Sequence, residues 1–159
     1  MTGITNKRLV IGADHAGFKL KQDLAEHLRE KGYEVRDIGT HDENAVDYPD
    51  LAAEVARSVG RGEFPRGLLV CGTGLGVAIT ANKVAGVRAV TANDPESARL
   101  SRAHNDANVL AIGARLVAAD QARAIVDVWL TTDFEGGRHK GRVDKISRVE
   151  AEERRNLGS

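Results

Sequence analysis

Cys71 is the single cysteine of the chain, and it opens the run Cys71-Gly72-Thr73-Gly74-Leu75-Gly76, in which every second residue is glycine. Alternating glycines let a backbone approach a ligand with no side chain in the way. If a helix starts there, its first N–H groups face outward and can hold an anion or a developing oxyanion. A free cysteine is often an inert core residue. At a strand end facing a helix N-terminus, however, the thiolate is favoured over the thiol, which suits a proton-transferring base. Thr73 can relay a proton or hold a substrate hydroxyl, or it can simply brace the loop. Three rival motifs fail letter by letter. A dinucleotide fingerprint on Gly72 and Gly74 needs glycine at 77, where Val77 stands. A Walker loop on Gly12 to Gly17 needs lysine at 18, where Phe18 stands. A cysteine-phosphatase loop needs arginine six residues after its nucleophile, and that position is again Val77.

Three further groups carry chemistry-bearing side chains, each with two readings. Asp14-His15 is either a helix cap with a surface histidine, or an acid/base pair beyond a strand. His104-Asn105 ends a helical stretch, where the helix dipole favours a histidine regardless of function. Arg138 and Arg142, four apart with His139 beside them, form either a solvated basic face or a pair that converges on one phosphate. The Gly136-Gly137 pair before them allows the chain to turn back over a site. No set of these residues has a metal-ligand spacing, so no metal is expected.

Short β-branched runs alternate with helical periodicity along the chain. Strands are predicted over Arg8–Gly12, Glu34–Ile38, Gly67–Cys71, Arg88–Ala92 and Val109–Ile112. Leu20, Leu24 and Leu28 mark the first helix face, and Gly32 ends that helix. Gly39 to Tyr48 reads as a polar loop. Pro49 opens a helix carrying Leu51, Val55 and Val59, and another runs from Gly76 to about Lys83. Asp94-Pro95-Glu96 is a helix start: cap, first-turn proline, first-turn acid. Ala118 to Leu130 is an amphipathic helix. Five alternations of strand and helix predict a parallel, doubly wound α/β sheet. In such a sheet ligands bind beyond the carboxyl ends of the strands, where Asp14-His15, Cys71 to Gly76 and His104-Asn105 are all expected. The last helix, about 138–155, has few apolar residues (Val143, Ile146, Val149). It is a solvated tail or, preferably, an arm laid across a partner subunit.

Length and composition narrow the rest. A chain of 159 residues with no repeat or linker suits one domain, 1–159, with a core over about 8–135. Its 23 basic and 23 acidic residues balance, which argues against nucleic acid or an anionic membrane as partner. Apolar runs fall far short of the ~18 residues that span a bilayer. Met1 to Lys7 is a short polar lead rather than a signal peptide. One cysteine leaves no internal disulfide, and a reduced, cytoplasmic setting follows.

Read together, Gly12-Ala-Asp-His-Ala-Gly-Phe-Lys-Leu20, Asp47-Tyr-Pro49, Cys71-Gly-Thr-Gly-Leu-Gly76, Ala81-Asn-Lys83, His104-Asn105 and Gly136-Gly-Arg-His139 resemble the type B ribose-5-phosphate isomerases. The galactose-6-phosphate and allose-6-phosphate isomerases belong to the same family. The resemblance runs in order from about Arg8 to Arg148. It implies a three-layer, Rossmann-like fold with a C-terminal helical arm, and an aldose–ketose isomerase that needs neither metal nor cofactor. It also implies a homodimer or dimer of dimers whose sites are shared between subunits. Carried over by position, Cys71 moves the proton between C1 and C2 of the open sugar, and Thr73 assists transfer between the oxygens. The amides of Gly72, Gly74, Leu75 and Gly76 stabilise the enediolate. Asp14 and His104 open the furanose ring, His104 coming from the neighbouring subunit. His15, Arg115, Arg138 and Arg142 hold the phosphate, while Tyr48 and Asn105 contact the sugar. A second subgroup resembles this one but places a glutamate base at the position of Val77, so the chain resembles the cysteine subgroup.

The function expected on this footing is interconversion of ribose 5-phosphate and ribulose 5-phosphate through a cis-enediolate. Other aldose phosphates of four to six carbons are alternative substrates. A phosphosugar-binding regulator without catalysis would have lost Cys71 or His104, and both are present. A nucleotide-binding module would need one of the signatures rejected above.

Overall fold

The direction in which each crossover travels fixes the layer to which its helix belongs. The computed structural model describes residues 6–158, so most of the polar lead from Met1 lies outside the described residues. The strands are β1 (Arg8–Ala13), β2 (Glu34–Asp37), β3 (Arg66–Cys71), β4 (Ala89–Thr91) and β5 (Val109–Gly113). They form one parallel sheet in the order β2-β1-β3-β5-β4. Helices α1 (Phe18–Glu30), α2 (Tyr48–Gly60), α3 (Leu75–Ala81), α4 (Pro95–Asn105) and α5 (Ala119–Thr131) follow the strands in turn. The steps β1→β2 and β4→β5 run one way across the sheet; β2→β3 and β3→β4 run the other. Right-handed crossovers therefore put α1 and α4 on one face and α2 and α3 on the opposite face. The two hydrophobic cores confirm this division. The α/β, doubly wound, three-layer architecture expected from the sequence is the one observed.

Period-2 alternation feeds both cores. Leu9, Ile11, Leu68, Val70, Leu110 and Ile112 face α1 and α5, where Leu24, Leu28, Ile125 and Trp129 are fully buried. Val10, Leu69, Cys71, Val109 and Ala111 face α2 and α3. Cys71 thus belongs to the layer of α3, the helix that begins four residues after it.

Expected and observed bounds differ by a residue or two, with local causes. α3 starts at Leu75 rather than after Gly76, because Gly74 at φ +78° is the last non-helical residue. β4 shrinks to three residues; the Arg88 N–H is taken by the Asn108 side chain instead of a ladder partner. Asp94 caps α4 as predicted, its carboxylate accepting the Ser97 N–H at 2.7 Å.

α6 (Arg138–Leu157) is the outlying element. It buries His139 and Val143, yet Ile146, Val149 and Leu157 are 48, 59 and 86% exposed. Together with Val87, Ala89 and Val90 they line an open groove of about 830 Å³. No helix among the described residues is long and apolar enough to cross a membrane.

Candidate active site

The strand order reverses between β1 and β3, so their carboxyl ends flank the crevice where a doubly wound sheet binds its ligand. Asp14 follows β1 and Cys71 ends β3. Asp14 is 8% exposed, and its Oδ1 accepts the Gly17 N–H at 3.0 Å. It caps the 3-10 turn His15–Gly17 that leads into α1. Asp14 is thus a cap that also stands at the crevice.

Cys71 is 5% exposed, and its Sγ accepts the Gly74 N–H at 3.1 Å. The sulfur thus faces the start of α3 with a backbone N–H directed at it. The loop is braced from outside. Thr91 Oγ1 at the end of β4 donates to the Gly74 carbonyl at 2.7 Å. Gly74 has no room for a side chain, since a Cβ there would lie 3.0 Å from the Ile112 carbonyl carbon and from Thr91 Cγ2. Thr73 is exposed, and its Oγ1 accepts the Leu75 N–H at 3.2 Å. Two of the four amides expected to receive an enediolate are thus engaged by the loop's own side chains.

The remaining residues of this pole close around the same loop. A Cβ on Gly76 would meet the Tyr48 ring at 2.5 Å, so the glycine is what admits the tyrosine. His15 is exposed and its Nδ1 accepts the Val46 N–H at 3.2 Å. That acceptor role leaves Nε2 as the protonated nitrogen, a donor free for an anion. Arg115, which spacing in the sequence does not reveal, is tied to the loop by its own N–H donating to the Gly72 carbonyl at 2.9 Å. Its guanidinium lies over Gly72. The signal for Arg115 is the register Cys71↔Gly113, which places the residues after β5 beside the glycine loop.

His104, Asn105, Arg138 and Arg142 are elsewhere, and one expectation is corrected. His104-Asn105 does not stand beyond the carboxyl ends of the strands. α4 runs back along the sheet, so its end meets the strand beginnings: Arg88 Nε, just before β4, donates to the carbonyls of Asn105 and Asp106 at 3.1 Å. Eleven helical residues separate the two poles by roughly 16 Å. α5 returns to the same pole, where the Glu135 N–H donates to the Ala103 carbonyl at 3.0 Å. Arg138 and Arg142 follow on the first turns of α6, both exposed.

This second pole has its own cluster. His104 and His139 stack with ring centroids 4.1 Å apart and planes at 11°. Glu135 Oε2 lies 3.5 Å from His139 Nε2 and 3.9 Å from His104 Nε2. Burial first, then the charges of His104 and Arg138, hold the His139 imidazole below its ordinary value, which keeps it neutral. Within one chain, then, the residues fall into a thiol pole and a histidine–arginine pole.

A family model described as Ribose/Galactose Isomerase matches residues 9–146. Ribose-5-phosphate isomerase B of Escherichia coli (strain K12) is 51% identical over 94% of this chain and 99% of its own length. The structure of ribose-5-phosphate isomerase B from Clostridium thermocellum superposes with a TM-score of 0.90 at 51% identity, covering 91% of this chain and 98% of that one. The Mycoplasma genitalium ribose-5-phosphate isomerase B, solved with bound ribulose-5-phosphate, gives a TM-score of 0.88 at 43% identity, covering 91% and 97%.

Proposed function

This chain belongs to the ribose/galactose isomerase family, and from that membership we infer that it is an aldose–ketose isomerase interconverting ribose 5-phosphate and ribulose 5-phosphate. The observation that carries the reading is the Gly74 N–H on Cys71 Sγ at the switch point of the sheet. It holds the proposed base at the carboxyl end of β3, beside the crevice at which Asp14 stands.

The proposed steps are those the family resemblance implies. Asp14 and a His104 move the protons that open the furanose ring. Cys71 takes the proton from C2 of the aldose and returns it to C1, leaving the cis-enediolate between. Thr73 shuttles the proton between O1 and O2, and in turning to the sugar it releases the Leu75 N–H. The Gly72, Gly74, Leu75 and Gly76 segment then opposes the enediolate charge with backbone dipoles. His15, through Nε2–H, and Arg115 hold the phosphate from the thiol pole, with Arg138 and Arg142 completing the clamp. Tyr48 and Asn105 position the sugar hydroxyls.

The separation of the two poles, roughly 16 Å in one chain, supports the reading that His104, Asn105, Arg138 and Arg142 serve the thiol of a second copy. The exposed Ile146, Val149 and Leu157 and the groove they line are consistent with a surface for such a homodimer. This is the arm reading of α6; a dimer of dimers is the same arrangement doubled. The chain acts as one domain in the cytoplasm, and neither nucleic acid nor membrane takes part.

Turnover assayed side by side on the 5-phosphate of ribose and the phosphates of allose, galactose and erythrose tests the reading. Ribose 5-phosphate is expected to give the highest kcat/KM. A higher value for another sugar would reassign the substrate within the family, and no turnover of any would overturn the isomerase.

A further inference from the structure

His104, Glu135 and His139 each offer one ligand atom, and the three atoms lie within 4.8 Å of one another. We propose that this cluster is a binding site for a zinc-class divalent cation, held by two imidazole nitrogens and one carboxylate oxygen. Nothing in the isomerisation uses such an ion. A loaded site would inhibit, by taking away a histidine that the chemistry needs.

The distances decide the class of ion. Zinc sits about 2.0–2.1 Å from nitrogen and oxygen ligands, so tetrahedral ligands lie roughly 3.3–3.5 Å apart. Glu135 Oε2 and His139 Nε2 are already at 3.5 Å, and Glu135 Oε2 to His104 Nε2 is 3.9 Å. Two of the three pairs are thus near tetrahedral spacing, and the third, His104 to His139, lies within 4.8 Å. Magnesium and calcium fit poorly, since they require six or more oxygens and leave imidazole aside. Two imidazoles and a carboxylate with an open fourth position is instead a recurrent zinc ligand set.

Two of the three ligands are already held in place. His139 is 7% exposed in its side chain, and its N–H bonds the Gly136 carbonyl. Glu135 is tied by its backbone to Ala103, the residue preceding His104. The stacked rings point their nitrogens side by side, so one must turn to converge on a common ion. His104, whose side chain is 37% exposed, is free to do so about χ2, a soft torsion in histidine. Arg138 and Arg142, both exposed, oppose a cation here, and the Glu135 carboxylate offsets part of their charge.

The site itself stands on this geometry; its effect on turnover rests on the role proposed above for His104. The test is zinc titration of chelator-treated protein against a chromophoric indicator, for the wild type, E135Q, H139Q and C71A. One ion per chain is expected in the wild type and, unchanged, in C71A. At least a tenfold loss of affinity is expected in E135Q and H139Q. Glu135 is an exposed side chain, so E135Q remains informative if the buried His139→Gln change impairs folding. No saturable binding, undiminished affinity in E135Q, or binding lost in C71A (which would place the ion on the thiol) would each overturn the site. Saturable binding that fails to slow wild-type turnover would uphold the site and overturn the ring-opening role of His104.

Discussion

At the scale of single residues, the proposed chemistry rests on a thiol whose hydrogen-bond partner is backbone, the Gly74 N–H on Cys71 Sγ. Cys71→Ala is therefore expected to lower kcat by about 10³-fold, the usual worth of a positioned general base. Binding of ribose 5-phosphate, followed by calorimetry, should stay within a few-fold, because the phosphate ligands are untouched. A variant that keeps its full rate would remove Cys71 from the mechanism. The glycine loop was legible in the sequence because its residues are consecutive and Val77, directly after it, excludes the dinucleotide and phosphatase motifs. Arg115 was not, since an isolated arginine carries no spacing of its own. It becomes a site residue only once β3 is known to pair with β5 rather than with β4.

At the scale of elements, caps and crossovers set where each group stands. Asp94 accepts from both the N–H and the hydroxyl of Ser97, and those bonds hold its carboxyl below the ordinary value of 3.8. The folded-state value is lowered, so the stabilisation is present above about pH 4 and is lost as pH falls through the folded value. α4 carries His104 at its far end, and the cap governs how firmly that helix is seated. Comparing Tm for the wild type and D94N between pH 2 and 6 should show a wild-type advantage near pH 6 that closes on the acid side. A gap that stays constant across the range would mean the charge on the cap contributes nothing. The strands and helices themselves were legible from periodicity. The position of His104-Asn105 differs from the one expected, because a polar helix end carries no sign of which end of the sheet it meets. A helix that crosses over between parallel strands ends beside the strand beginnings, and Arg88 bonding Asn105 and Asp106 shows it doing so. The Glu135 contact was hidden for a related reason: it depends on where α4 and α5 finish, not on any spacing along the chain.

At the scale of the whole molecule, the two poles define what a second copy must bring. If each site takes Cys71 from one subunit and His104 from the other, C71A and H104A homodimers are both defective in all their sites. A mixed dimer has one site with both lesions and one with neither. Subunits exchanged at equal ratio should therefore recover roughly a quarter of wild-type activity, since half of the dimers are mixed and each has one intact site. Recovery measured after unfolding and co-refolding, or after slow exchange at low concentration, checks this. No recovery from a verified mixed dimer would place both residues in one subunit's site.

The length of α4 has a consequence for kinetics. If Cys71 is the base and His104 the ring-opening group, a helix three turns long leaves each chain with one of them at either pole of the sheet. Competence then arises from encounter. Formation of active sites is second order in chain concentration, and specific activity falls on dilution once the dimer comes apart. On the proposed shared site, a newly made chain folds without yet being a catalyst, and activity appears only when two such chains have met.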